Sequence, residues 1–327
     1  MLSVLSSLEV FCQALSLQQE TLEEFYRLAT TIAPQQCAVD RPGGTLFALE
    51  RNVFSTLFLV VTASLVGRSR FLPLYAMVNQ CMRAWVTACD NLLDDEYKEI
   101  FPFRLAGRGQ RMRSVLTILL ADRILWEYID RQYRDDGVLE AAGRLSLEAL
   151  APSAAQECEE ETRPVEILPS RRLLDEVHHR KTGLLFMSPL ALPCRLEPPD
   201  ERRARAAGRA VHDFGMGCQC LDDIVDLPAD AAAGRHNLLV SLMAEGGRDA
   251  RMRLGNLPRE LWTAWEQLPA VTRRARQIAE DYFASSFEAL AQLGLALAPP
   301  QREALVATIY RLLRVPPGGA PAAENVA

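Results

Sequence analysis

The chain has 327 residues, nearly half of them apolar, and a formal net charge of −6. This length and composition allow one large domain or two ordinary ones with a sizeable core. The acidic balance argues against a general nucleic-acid binder, which needs an excess of Lys and Arg to meet phosphate backbones. It leaves room for a small anionic ligand, which needs only a local basic cluster.

Cysteine usage and hydropathy favour a cytoplasmic protein without a stable membrane span. Eight cysteines are scattered without a CxxC pair, and most stand in apolar runs, as Cys81 and Cys89 do. We therefore expect buried free thiols in a reducing compartment. The longest apolar run, residues 53–67, is too short to cross a bilayer, and the amino terminus lacks the features of a signal peptide.

Helical periodicity dominates the chain, and strand-type alternation is essentially absent. In chain order, helices are predicted over residues 74–92, 112–129, 139–150, 171–192, 202–227, 260–293 in parts, and 301–315. Proline and glycine clusters predict loops at 41–44, 101–103, 151–153 and 196–200. The acidic segment 155–164 is predicted to be a mobile connection. We expect a single all-helical domain over residues 1–315 and a disordered tail over 316–327.

The first of two carboxylate clusters reads DNLLDDE and ends an apolar segment. Asp90 and Asp94 lie four residues apart, so a helix places them on one face, and Asp95 flanks them. Carboxylates are stabilised at helix amino termini by the helix dipole, yet this cluster stands near a carboxyl end. For one such cluster alone, the alternative interpretation is a solvated helix end.

The second cluster, DDIVDLPAD, repeats this spacing downstream. Asp222 and Asp226 stand four residues apart, and Asp223 flanks them. Pro228 is expected to end or kink the helix just after Asp226, so the role of Asp230 as a further ligand depends on how the chain continues.

Two clusters with matching spacing are hard to attribute to solubility. Hard oxygen ligands without histidine or cysteine suit Mg²⁺, which usually takes one or two carboxylates and completes its octahedron with phosphate and water. Two acidic walls facing across a helical cavity would hold several Mg²⁺ ions around a diphosphate.

A diphosphate also needs cationic donors, and two segments offer them. HHRKTGLLF carries Arg180 and Lys181 before the second cluster, and GRHN brings Arg235 and Asn237 after it. Arg meets phosphate with its fork of N–H groups and Lys as a point charge. The alternative for Arg180 and Lys181 is a pair of solvated surface charges.

With both clusters and KTGLLF in place, the chain resembles the class I isoprenoid synthase superfamily. That group includes trans-prenyl diphosphate synthases, squalene and phytoene synthases, and class I terpene cyclases. DNLLDDE looks like their first aspartate-rich motif, with Asn91 where elongating prenyltransferases usually carry an aspartate. KTGLLF is similar to the elongases' Lys-Thr motif, and the second cluster looks like a blend of an elongase DDxxD and the DxxxDxxxGR of phytoene synthases. The resemblance implies an all-α bundle around a central apolar cavity.

The residues and the resemblance together give a predicted site with three Mg²⁺ ions and an allylic prenyl diphosphate. The predicted catalytic residues are Asp90, Asp94, Asp222 and Asp226. The predicted metal ligands are Asp90, Asp94, Asp95, Asp222, Asp223, Asp226 and Asp230. The predicted diphosphate-binding residues are Arg180, Lys181, Arg235, Asn237, and Tyr310 and Arg311 of the last helix.

The chain departs from elongating synthases at their second diphosphate site, which takes isopentenyl diphosphate. The family's upstream Gly-Lys-Arg segment is missing, with only Arg68 and Arg70 at about 20 residues before Asp90. The arginine pair after the first motif and the lysines after the second are missing as well. One intact site favours a class I terpene synthase that ionises an allylic diphosphate, cyclises or quenches the carbocation, and releases diphosphate.

Two alternatives remain open. The first is a trans-prenyl transferase, either a chain-elongating prenyl diphosphate synthase or a head-to-head squalene/phytoene-type synthase. The second is a non-catalytic partner subunit of a prenyl synthase. Oligomeric state is also open, with a homodimer as one alternative.

Overall fold

The structure is a computed structural model, which describes residues 9–37, 49–93, 97–107, 109–134, 138–162, 166–245 and 268–315. The regular elements in these ranges are all helical, which confirms the predicted all-α class. None of the helices in the described ranges is long and apolar enough to cross a membrane. The predicted loop at 41–44 and the predicted tail at 316–327 lie outside the described residues.

The helices are numbered in chain order. They are α1 Glu9–Ile32, α2 Leu49–Val66, α3 Leu72–Leu93, α4 Gln110–Gln132, α5 Val138–Thr162, α6 Ser170–Arg172, a π-helix Leu173–Gly183, α7 Leu184–Met187, a 3₁₀ turn Ser188–Leu190, α8 Ala191–Leu196, α9 Glu201–Ala233, α10 Leu238–Glu245, α11 Pro269–Gln292 and α12 Pro299–Leu312. The chain forms two compact units, one of residues 1–147 and 189–204 and one of residues 148–188 and 205–327. The single domain over 1–315 stays a prediction.

In the first unit, the long helices α1 to α4 pack on one another through their apolar faces. Phe25 of α1 is fully buried and stacks on Phe101, with ring centroids 4.9 Å apart. Aromatic pairs of this kind stabilise a core beyond the area that they bury. Phe101 belongs to the predicted loop at 101–103, and Tyr26 Oη fixes the start of that loop by donating to Ile100 O at 3.0 Å.

In the second unit, two glycines let aromatic rings lie directly on the backbone of α9. A Cβ at Gly215 would lie 2.5 Å from the ring of Phe186, and one at Gly217 would lie 2.7 Å from the ring of Phe283. Glycine costs about 1 kcal/mol relative to alanine inside a helix. Close aromatic packing on α9 is what offsets that cost.

α5 corrects the prediction for residues 151–164. The helix runs through Pro152 to Thr162, where a loop and a mobile connection were expected. The weakly patterned acidic sequence buries two polar side chains, Gln156 and Glu160, which a periodicity count treats as solvent-facing. Polar partners in the π-helix hold this part of α5 in place, so the segment needs no apolar stripe.

The cysteine prediction is correct in part. All eight cysteines are free thiols. Cys81 is fully buried, but Cys89 is exposed, as are Cys12 and Cys158. The error for Cys89 arises because an apolar helix still leaves one face in solvent.

Candidate functional site

α9 carries the second carboxylate cluster near its carboxyl end. Asp222, Asp226 and Asp230 are spaced by four residues in one helix, so their side chains leave the same face on successive turns. Asp222 and Asp230 are half-buried, and Asp226 is exposed. The helix continues past Pro228 to Ala233, so the expected end of the helix after Asp226 is wrong.

The segment after α9 folds back onto this cluster. Gly234 has φ 68°, a left-handed conformation that glycine adopts freely and that often follows a helix. Arg235 N donates to Asp230 O at 2.9 Å, and buried Asn237 donates through Nδ2 to Asp230 Oδ2 at 2.9 Å and to Asp223 O at 2.8 Å. These bonds attach the following segment to α9 on both sides of Pro228.

Asp223 points away from that face into a buried polar network. Its Oδ2 accepts a hydrogen bond from Leu238 N at 2.6 Å and lies 3.2 Å from His178 Nε2, and its Oδ1 accepts from Gln219 Nε2 at 2.7 Å. Burial alone would raise the pKa of Asp223, but His178 and these donors together hold the pKa below its ordinary value. Asp223 thereby joins α9, α10 and the π-helix, while its role as a metal ligand stays a prediction.

Asp230 lies in surroundings that disfavour its negative charge. Burial, and then the neighbouring charges of Asp223 and Asp226, raise its pKa to about 7, although Asn237 and Lys181 act in the opposite direction. A carboxylate with a raised pKa carries negative charge that its surroundings only partly offset. A divalent cation on this face of α9 would supply the missing positive charge.

The donor set of this face fits Mg²⁺. Within the described ranges, no three His, Cys, Asp or Glu side chains are grouped as a ready metal cage. Mg²⁺ differs from zinc in needing only one or two carboxylates, since water and phosphate oxygens complete its shell. Asp222 and Asp226 are the residues that would hold the ion in this unit, and their metal role remains a prediction.

Lys181 and Arg180 lie at the end of the π-helix. In this stretch Leu184 N bonds to His179 O, five residues back, and such wide turns are frequent at functional sites. Lys181 Nζ lies 2.9 Å from Glu157 Oε1 and 3.7 Å from Glu160 Oε2, both on α5. Burial would lower the pKa of Lys181, but the two glutamates outweigh burial and raise it above its ordinary value. Arg180 is exposed.

The two predicted residues of the last helix face neighbours within the second unit. Burial and then Glu280 on α11, which also shares a hydrogen bond with the hydroxyl, raise the pKa of Tyr310 to about 12. Arg311 is exposed, and its Nη2 donates to Thr308 Oγ1 at 3.3 Å. Their closure over a diphosphate stays a prediction.

In the first unit, the first carboxylate cluster is only partly described. Asp90 is exposed near the end of α3, whereas Asp94 and Asp95 lie outside the described residues. Buried Asn91 donates to Lys98 O at 3.1 Å and accepts from Lys98 N at 2.8 Å. An aspartate could only accept, so this pair of bonds explains the asparagine in the motif.

Sequence reasoning missed a basic pocket in the first unit. The pocket is small, with a cavity volume of about 10 Å³, and is lined by Leu22, Tyr26, Arg51, Asn52, Gln80, Arg83, Glu99 and Ile100. Arg83 Nη1 donates to Asn52 Oδ1 at 2.5 Å, and Arg51 Nη2 donates to Glu99 O at 3.3 Å. Burial, and the nearby charge of Arg51, lower the pKa of Arg83. Among the described residues, neither guanidinium forms an ion pair with a carboxylate.

One signal in the sequence could have revealed this pocket. Arg83 interrupts the apolar helix α3 seven residues before Asp90, two turns away on the same face. A charge at such a position is rarely buried without a function or a partner. Arg51 stands two residues before the apolar run 53–67, and its proximity to Arg83 depends on how α2 packs on α3.

Comparison with known proteins identifies the fold of the chain through solved structures and gives no closer relationship. No protein-family model matches the chain, and no curated protein matches it. The chain is similar to the heptaprenyl diphosphate synthase of Staphylococcus aureus, with TM-score 0.62, 13% identity, and coverage of 92% of this chain and 98% of that one. It is similar to a decaprenyl diphosphate synthase of Rhodobacter capsulatus, with TM-score 0.60, 17% identity, and coverage of 94% and 98%.

A third similar structure is a polyprenyl synthase of Caulobacter crescentus in complex with calcium and isoprenyl diphosphate. Its TM-score is 0.56, its identity 18%, and the coverage 93% of this chain and 97% of that one. The chain therefore has the all-α fold of the polyprenyl synthases, which confirms the fold expected from the aspartate motifs. The central apolar cavity implied by the resemblance stays a prediction.

Proposed function

We propose that the protein is a Mg²⁺-dependent prenyl transferase that joins an allylic prenyl diphosphate to isopentenyl diphosphate. The observation that carries this proposal is the basic pocket of the first unit. A second diphosphate needs its own cationic site, and Arg51 and Arg83 would supply one in a pocket that Glu99 also lines. At about 4 Å and an effective dielectric near 20, each opposite-charge contact is worth about 4 kcal/mol before desolvation is counted.

In the second unit, the chain's own residues would bind the allylic diphosphate. Asp222 and Asp226 would hold Mg²⁺, while a metal role of Asp90 and Asp94 stays a prediction from the sequence. Bound Mg²⁺ would act as a Lewis acid that neutralises charge on the departing diphosphate. Lys181, Arg180 and Arg235 would donate to phosphate oxygens. The similar polyprenyl synthase that binds calcium and isoprenyl diphosphate supports a divalent ion in this fold.

A class I terpene synthase is the second candidate. The sequence favours it, because the arginine pair after the first motif and the lysines after the second are missing. Such an enzyme would use only the allylic diphosphate site and would need no isopentenyl diphosphate. The basic pocket would then have a structural role in the first unit.

Product analysis distinguishes these candidates. The purified chain is incubated with Mg²⁺ and geranyl, farnesyl or geranylgeranyl diphosphate, each with and without isopentenyl diphosphate. A longer prenyl diphosphate that forms only with isopentenyl diphosphate supports the transferase. A hydrocarbon or alcohol formed without it supports the terpene synthase. No product and no diphosphate release under any condition would leave only the partner-subunit alternative. Cytoplasmic location and homodimer formation stay predictions.

A further inference from the structure

Lys181 is already neutralised by two carboxylates of its own chain. Its Nζ is 2.9 Å from Glu157 Oε1 and 3.7 Å from Glu160 Oε2. The side chain of Glu160 is 3% exposed, and those of Lys181 and Glu157 are 25% and 28% exposed. One positive charge thus stands against two negative charges in a partly buried place.

The backbone around this contact is also fixed. Ser153 Oγ donates to Lys181 O at 2.8 Å, which attaches the end of the π-helix to α5. Gln156 Nε2 donates to Glu160 Oε1 at 3.2 Å, while Glu160 Oε2 has no hydrogen-bond donor. Movement of Lys181 away from α5 would therefore be a movement of its side chain, with the carboxylates left in place.

A lysine in this state is a weak donor to a new anion. To bind a phosphate oxygen strongly, Nζ has to leave Glu157, since an ammonium shared with two carboxylates has little charge left to offer. The cost of breaking this contact is subtracted from the affinity of the incoming anion. The net charge that the three side chains present is also negative, which repels a diphosphate.

We propose that Glu157 and Glu160 compete with diphosphate for Lys181, and thereby lower the affinity of this site for diphosphate. The inference rests on the proposed function, because it requires that Lys181 binds the diphosphate. The opposite arrangement would have the glutamates orient Lys181 towards the ligand. The two arrangements predict opposite effects of removing the glutamate charge.

The test is isothermal titration of the full chain with inorganic pyrophosphate in Mg²⁺. Glu157→Gln keeps the shape of the side chain and removes its charge, and it should tighten binding about three- to tenfold. Glu160→Gln should act in the same direction, since its charge is close to Nζ as well. Glu161→Gln is the matched control, with the same charge loss on an exposed neighbour in α5, and it should change affinity less than twofold.

A second arm makes the mechanism specific to the lysine. In a Lys181→Met background, Glu157→Gln should give a clearly smaller gain than in the native chain, because the competed-for ammonium is gone and only the general charge repulsion is reduced. Equal effects of Glu157→Gln and Glu161→Gln, or weaker binding in Glu157→Gln, would overturn the competition while leaving the proposed function intact. If pyrophosphate binds neither the native chain nor any variant, the proposed diphosphate site falls together with this inference.

Discussion

The carboxylate face of α9 and the basic pocket of the first unit differ in how they are encoded. On α9, the three aspartates of the face come from one helix at a fixed four-residue spacing. In the pocket, Tyr26, Arg51 and Arg83 come from three different helices. A site built on one helix can be read from the sequence, because the helical period fixes which side chains share a face. A site built from several helices depends on packing, which the sequence does not display.

The largest effect is expected from a substitution in the carboxylate face of α9. Asp226→Asn keeps the volume of the side chain and removes an exposed carboxylate from the metal face. We expect the rate of diphosphate release to fall about a thousandfold, because the variant loses stabilisation of the charge that develops in the transition state. Steady-state kinetics at saturating Mg²⁺ measures this loss, with circular dichroism as a check on folding. Turnover within threefold of the native rate would show that Asp226 of α9 is not part of the metal site.

Asp223 contrasts with Asp226. It is adjacent in sequence to the carboxylate face of α9, but its own carboxylate is bound by hydrogen-bond donors of the protein. Leaving buried hydrogen-bond donors without an acceptor costs about 1–3 kcal/mol each, so Asp223→Ala should lower the free energy of unfolding by about 3 kcal/mol. Urea unfolding measures this change, with exposed Asp281→Ala as the control. A stability loss below about 1 kcal/mol would show that the buried network contributes little.

The smallest expected effect is a dependence of stability on pH through Asp230. Its pKa is about 7 in the folded chain and near 3.8 when unfolded, so the folded state binds the extra proton between those values. Stability without Mg²⁺ should therefore rise as pH is lowered from 8 to 5. Asp230→Asn should lack this contribution and should show its greatest advantage over the native chain at pH 8. Thermal unfolding of both proteins in a chelator between pH 5 and 8 measures this dependence. A stability difference between the native chain and Asp230→Asn that does not change with pH would contradict the prediction.

Individual residues show where sequence reasoning succeeds and fails. The four-residue ladder on α9 was predictable, but the continuation of the helix past Pro228 was not, and the contact of Asn237 with Asp230 comes from outside the helix. The helix in residues 151–162 was missed because buried Gln156 and Glu160 replace an apolar stripe. Asn91 looked like a departure from a motif, and only its two bonds to the backbone of Lys98 explain it.

Binding of a second diphosphate by the basic pocket is tested most directly at Arg83. Arg83→Met removes the guanidinium from the pocket while keeping most of the side-chain volume, and Arg123→Met is the exposed control in the same unit. We predict that Arg83→Met raises KM for isopentenyl diphosphate about 10- to 100-fold and changes KM for the allylic diphosphate less than threefold. A native enzyme whose turnover is independent of isopentenyl diphosphate, or a variant in which both KM values change equally, would contradict the account.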